Sequence, residues 1–168
     1  MIKLIFILFS AVQIYELSYI HLYKVLHNIL YTNKKLLKIG FRTDDICTFC
    51  DAEPETLYHI LYQCPYSRRF WSDFESYWCL LSNQQVRLSL QNVIFGIISK
   101  QCPSTKLLNY FIIIGKLFLW DCRRNQIKPK IKGYQNKIAK KYETERKTKK
   151  KDYFDNKWIF KPLTKEII

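Results

Sequence analysis

Cys47-Thr-Phe-Cys50, followed after eight residues by His59 and after four more by Cys64, places three thiols and one imidazole within eighteen residues. Sulfur and imidazole nitrogen are donors that zinc prefers, and a closed Cys3His set is structural rather than catalytic. A CxxC pair holds an ion from one tight turn, and the second pair must then return to it. Pro54 suits the first turn of a helix, where its missing N–H costs nothing. Residues 55–62 (Glu-Thr-Leu-Tyr-His-Ile-Leu-Tyr) predict two helical turns presenting His59. Cys64 lies about 140° further round a continuing helix. Pro65 disfavours α geometry at Cys64, so the chain is expected to unwind there and swing the sulfur back. Free cysteines with a core histidine are the competing reading. It suits Cys79, Cys102 and Cys122 as small hydrophobes, whereas the clustered spacing of the other four points to zinc.

The remaining composition bounds the chain. Its 168 residues suit one domain, or a domain with an appendage. Apolar residues make up 48% and aromatic residues 16%, enough to bury a core. Lys and Arg number 28 against 14 Asp and Glu, and the net charge of +14 predicts attraction to polyanions. Nucleic acid is the first candidate and an acidic membrane surface the second. The stretch Leu4-Ile-Phe-Ile-Leu-Phe-Ser-Ala-Val12 resembles a signal h-region, but is too short to span a bilayer and lacks a small-x-small cleavage site. Residues 1–15 are therefore an atypical apolar leader, and an intracellular location, cytoplasmic or nuclear, is expected.

Residues 16–31 carry Leu22, Val25, Leu26, Ile29 and Leu30 at helical spacing. His21 and His27 are expected to pack or face solvent rather than bind metal. Thr32 is a candidate N-cap for a short helix over 33–39 that Gly40 stops, with Lys34 and Lys35 making the approach to the metal loop basic. Asp44-Asp45 are surface or capping aspartates. Phe70, Phe74, Tyr77, Trp78 and Leu81, widened by Trp71, predict an amphipathic helix over 65–81 bracing the metal site, with Arg68 and Arg69 turned outward. Residues 82–102 predict a short helix or extended connector. Ser104 is expected to cap a central buried helix running from Thr105 to about Gln126. From 123 to 151, thirteen of 29 residues are Lys or Arg, against Glu143 and Glu145 alone. Pro129 can open a helix there with an apolar line of Ile131, Tyr134, Ile138 and Tyr142. Residues 152–168 are expected to be a tail docking Trp158 and Phe160.

Leu36-Leu-Lys-Ile-Gly40, Cys47-Thr-Phe-Cys50, Glu55-Thr-Leu-Tyr-His59, Cys64-Pro65 and Phe70-Trp71 together resemble the zinc-binding (CCHC) domain of non-LTR (LINE-type) retrotransposon reverse transcriptases. The resemblance runs from about Val25 to Trp71. It implies one structural Zn2+ held by Cys47, Cys50, His59 and Cys64, and a basic, aromatic surface that handles nucleic acid during target-primed reverse transcription. It also implies a detached C-terminal fragment, with no polymerase carboxylates and no enzymatic activity of its own.

The expectation is an all-α fold: a helical zinc-binding domain over 16–125, its zinc knuckle at 44–64, and a basic helix over 126–151. RNA or DNA is the expected partner, through phosphate contacts at Lys34, Lys35, Arg68, Arg69, Arg123, Arg124, Lys128, Lys130, Lys137, Lys140 and Lys141. The polymerase portion of a parent protein is a second candidate partner; no small-molecule substrate is expected, and a membrane is not favoured. Two alternatives remain open at this point: a zinc-stapled module that binds other proteins, and a small secreted disulfide protein.

Overall fold

A computed structural model describes residues 16–98 and 103–161, and every regular element among them is a helix. These are α1 (Glu16–Leu26), α2 (Asn33–Lys38), a π turn (His59–Gln63), α3 (Pro65–Ser82), α4 (Leu90–Phe95), α5 (Pro103–Arg124), α6 (Ile131–Thr148) and α7 (Lys151–Lys157). The all-α expectation is met. The apolar leader at 1–15, Cys102 and the last residues of the tail lie outside the described residues. None of the described helices is long and apolar enough to cross a membrane.

Three helix ends share one device. α1 stops at Leu26, five residues short of its predicted end, because Asn28 takes the left-handed conformation (φ 50°). Ile29 N–H then donates to Lys24 O at 2.9 Å and Asn28 N–H to Val25 O at 3.0 Å, a paired closure that satisfies carbonyls the helix would orphan. Gly40 (φ 75°) closes α2 in the same way, as predicted, and Gln126 (φ 54°) closes α5. α5 begins at Pro103 rather than behind a Ser104 cap, since proline's fixed φ suits a first turn. Thr32 occupies the cap position of α2, but its side chain makes no capping bond. The 82–102 stretch combines both predicted forms: an extended connector, then α4 opened by a Ser89–Asn92 capping box.

α5 is the central helix, with every side chain from Leu107 to Lys116 buried. The predicted aromatic stripe of α3 packs against it through Phe70, Trp71, Phe74, Tyr77 and Trp78. The basic helix α6 joins the same core. Tyr134 sits 5.5 Å from Phe70, 5.7 Å from Phe74 and 5.9 Å from Phe118, and its hydroxyl donates to Phe111 O at 2.9 Å. Trp158 and Phe160 dock as expected, Trp158 against Tyr110 and Tyr142, and Phe160 against Trp78. Glu145, buried on α6, accepts from Trp158 Nε1, Lys157 Nζ and Tyr110 Oη. Those bonds pin the end of the described chain to α5.

At one position α5 and α3 approach too closely for a side chain. A Cβ on Gly115 would lie 2.6 Å from Cη2 of Trp71, whose indole N–H is held by Leu61 O at 2.7 Å. Alanine would gain about 1 kcal/mol of helix propensity, but the indole cannot retreat without breaking that bond. Gly115→Ala is therefore expected to lose about 1–3 kcal/mol in urea denaturation. A stabilised variant would show that Trp71 is free to move.

Lys116 is a second liability of this core. Its Nζ donates to Ile94 O at 3.0 Å inside the protein, and burial pushes its pKa down to about 7. Between about pH 7 and its ordinary value near 10.5, the unfolded chain holds a proton that the folded chain lacks. The Lys116 contribution to stability therefore rises with pH across that window. Lys116→Met removes the desolvated amine but leaves the Ile94 carbonyl alone, at a cost of about 1–3 kcal/mol. A net stabilisation of about 1–2 kcal/mol near pH 7 is expected, shrinking as pH approaches 10. Equal stability of the two proteins at both pH values would refute the neutral buried amine. His21 faces the same region, packs 6.0 Å from Trp120, and has its pKa lowered to about 4, first by burial and then by Lys116. Neither it nor the exposed His27, whose ring lies tilted 4.3 Å from Tyr23, belongs to the thiol cluster.

Candidate metal centre

The metal loop is a short hairpin that leads into a widened helical turn. Ile46 and Pro54 form an isolated antiparallel bridge, flanked by Cys47 N–H to Glu53 O at 2.8 Å and Glu55 N–H to Asp45 O at 2.6 Å. Pro54 is thus not in a first helical turn. It occupies a non-hydrogen-bonded position of the bridge, where its lack of an N–H is equally harmless. Asp44 Oδ1 accepts from Ile46 N–H at 3.1 Å and steadies entry to the hairpin, so these aspartates shape a turn. Within the CxxC turn, Asp51 N–H donates to Cys47 O, and Asp51 takes φ 54°.

The helical segment begins only at Leu57. Thr56 Oγ1 accepts from His59 N–H at 3.0 Å, a side-chain cap that starts the turn. The chain then widens into a π turn, in which Cys64 N–H bonds His59 O, five residues back, at 2.8 Å. An ordinary α turn would leave Cys64 well round from His59. The extra residue brings it beneath the histidine, and the backbone opens at Cys64 (φ −54°, ψ 136°), as Pro65 requires. The predicted return of Cys64 is realised by this wider turn.

The four donor atoms all lie within 4.8 Å of one another. Cys47 Sγ and Cys64 Sγ are 4.0 Å apart, and Cys50 Sγ is 3.4 Å from His59 Nε2. Tetrahedral zinc with its usual bond lengths implies separations of about 3.8 Å between sulfurs and about 3.5 Å between sulfur and nitrogen. The donors therefore fit zinc and are far outside disulfide range, about 2 Å. Cys47, His59 and Cys64 are buried, and Cys50 is half-buried. Glu53 Oε2 lies 3.2 Å from His59 Nδ1, which favours a proton on Nδ1 and leaves Nε2 free to bind metal. Cys47, Cys50, His59 and Cys64 would hold one Zn2+, whose contribution is to cross-link the hairpin to the π turn.

A buried polar knot ties this loop to the helices. Glu55 is fully buried; its Oε1 accepts from Asn33 N–H and Arg123 Nε–H, each at 3.0 Å, and its Oε2 from Thr48 N–H at 3.0 Å and Thr48 Oγ1 at 2.6 Å. Arg123 Nη2 also reaches Asn33 Oδ1 at 2.8 Å. One carboxylate thus joins the start of α2, the CxxC turn and the end of α5. Neither Glu53 nor Glu55 was marked as a site residue by the sequence, because each looks like an ordinary surface glutamate there.

The predicted phosphate-contact residues divide into two groups. Arg123 is committed to Glu55 within the protein, with its side chain only 13% exposed, so it is removed from the contact set. Lys35 donates to Asn28 O, Lys128 to Phe49 O and Asp51, and Lys137 to Asp121; Arg124 shares Asp121 at 2.6 Å. Lys141 is half-buried. Lys34, Arg68, Arg69, Lys130 and Lys140 are exposed and have no ion-pair partner among the described residues.

Residues 8–71 match the family model described as zinc-binding in reverse transcriptase. The match includes all four donors and begins upstream of the motifs that carry the resemblance, within the apolar leader. No curated protein and no solved structure matches the chain.

Proposed function

We propose that this reverse transcriptase zinc-binding domain is a non-catalytic module whose zinc fixes a surface that holds RNA or DNA by its phosphates. A Cys3His set fills all four positions of a tetrahedral ion and leaves none for water or substrate. Its role is then positional, ordering residues 44–64 against α3. The observation that carries the nucleic-acid reading is the excess of unpartnered cations. On and around α6, Lys130, Lys132, Lys140, Lys147, Lys150 and Lys151 are all exposed with no ion-pair partner among the described residues. Like charges so close repel, and a polyanion relieves that repulsion while releasing its counterions.

Filter binding of single-stranded RNA and DNA across a salt series tests this. The logarithm of the affinity should fall steeply and linearly with log salt, and Lys140→Gln with Lys147→Gln should reduce the slope by about one per charge removed. A flat dependence, or no binding at low salt, would rule the reading out.

A second reading rests on Leu37, Ile39 and Phe41, which stand exposed at the end of α2 beside the metal loop. Such a face suits a protein partner, such as the polymerase portion of a longer reverse transcriptase. Either role belongs in the cytoplasm or nucleus, where the thiols stay reduced.

A further inference from the structure

Between α3 and the connector at 83–89 lies a cleft of about 540 Å³, remote in sequence from the α6 lysines. Arg68, Ser72 and Glu75 recur at i, i+4 and i+7 along one face of α3 and form one wall. Arg87, on the connector, lines the same cleft, as do Tyr62 and Trp71. Both guanidiniums are exposed, and neither has a hydrogen-bond or ion-pair partner among the described residues. Most other arginines here are spoken for: Arg42 by Asp44, Arg123 by Glu55, Arg124 by Asp121 and Arg146 by Glu143.

The connector is fixed in place by its own bonds. Tyr62 Oη donates to Leu88 O at 2.7 Å, and Leu88 N–H donates to Glu75 Oε1 at 2.6 Å. The connector is thus locked on both sides of its backbone at the residue next to Arg87. That bond also engages Glu75, the one carboxylate among the lining residues. The metal centre sets the other parts. Tyr62 lies in the π turn between two zinc ligands, and Arg68 N–H donates to the carbonyl of ligand Cys64 at 2.9 Å. Two unpaired guanidinium forks lining one cleft beside Tyr62 suit the planar, multidentate hydrogen bonding that a phosphate accepts.

We propose that this cleft binds a phosphate group through Arg68 and Arg87, the phosphate being one unit of a bound nucleic-acid strand. The strand as the source rests on the function proposed above; the phosphate site does not. Folding residues 59–64 around zinc orders the cleft, so metal removal should abolish it.

The test is titration of the zinc-loaded full chain with inorganic phosphate and, separately, with oligothymidylate of about twelve residues. The arginine Nε–H resonances, assigned through Arg68→Gln and Arg87→Gln, report the site. Both ligands should shift the Arg68 and Arg87 signals. Each substitution should weaken the oligonucleotide about five- to ten-fold and lower the salt slope by about one, with zinc content unchanged. Undiminished oligonucleotide binding in the double variant would overturn the cleft and leave the phosphate-driven reading standing. Phosphate shifts without any oligonucleotide binding would keep the site and overturn the strand. Silence from both ligands would overturn both.

Discussion

Cys50→Ser is expected to reduce zinc from about one ion per chain to almost none, and to unfold residues 44–64. The size of the effect is set by how few backbone bonds order the CxxC hairpin, although Phe49 packs in the core. Apart from the bridge at Ile46 and Pro54, its backbone order depends on a few turn bonds and on Glu55. Structural zinc sites supply about 10–16 kcal/mol of apparent binding free energy near pH 7, more than such a loop can recover from packing. Serine keeps the size of the side chain but removes the soft thiolate. Limited proteolysis should open the variant between 44 and 64 before α3 and α5, which also pack on each other through Tyr77, Trp78 and Phe111. Cys79→Ser is the control, since Cys79 is half-buried on α3 and outside the donor set. It should retain full zinc. A Cys50→Ser protein with undiminished zinc and an intact loop would defeat the assignment.

How much of the molecule is legible in its sequence depends on the range of the determining contact. The donor set is readable because all four residues fall within eighteen positions and zinc tolerates few ligand types. The aromatic face of α3 is readable for the same reason, since 3.6-residue periodicity is local, and α5 is readable as a central helix from its long apolar run. The early stop of α1 has a local signal too, as Asn28 is second only to glycine in tolerating a left-handed helix cap. Pro54 is ambiguous, because a missing N–H suits both a first helical turn and a non-bonded bridge position. The π turn has no signal of its own, since a single residue of widening satisfies the same hydrophobic pattern. Arg87 and Arg123 show the true limit. Arg87 meets Arg68 only through a folded connector, and Arg123 meets a carboxylate 68 residues away. A run of basic residues reads as one surface in sequence, but the fold draws Arg123 out of it and into the interior.

Removal of that carboxylate is expected to be the costliest change outside the metal ligands. Glu55→Ala should lower stability by about 3–5 kcal/mol, because it leaves a largely buried guanidinium without its counter-charge. The loss has a second part: the N–H groups of Asn33 and Thr48 lose their acceptor, and unsatisfied buried donors cost about 1–3 kcal/mol each. Water can partly replace the carboxylate, since a cavity lined by Asn33, Thr48 and Arg123 opens beside the metal loop, so the lower part of this range is expected. Thr48 sits inside the CxxC turn, so zinc should also be surrendered to a competing chelator at a lower chelator concentration. Glu55→Gln keeps the shape and some acceptor capacity and should fall between wild type and alanine. The discriminating variant is the double change Glu55→Leu with Arg123→Leu. If the ion pair is a specificity device rather than a net source of stability, removing both charges should cost less than removing Glu55 alone. Denaturation midpoints for the two single variants and the double close the thermodynamic cycle. A Glu55→Ala variant within about 1 kcal/mol of wild type would mean the knot does not hold α5 to the metal loop.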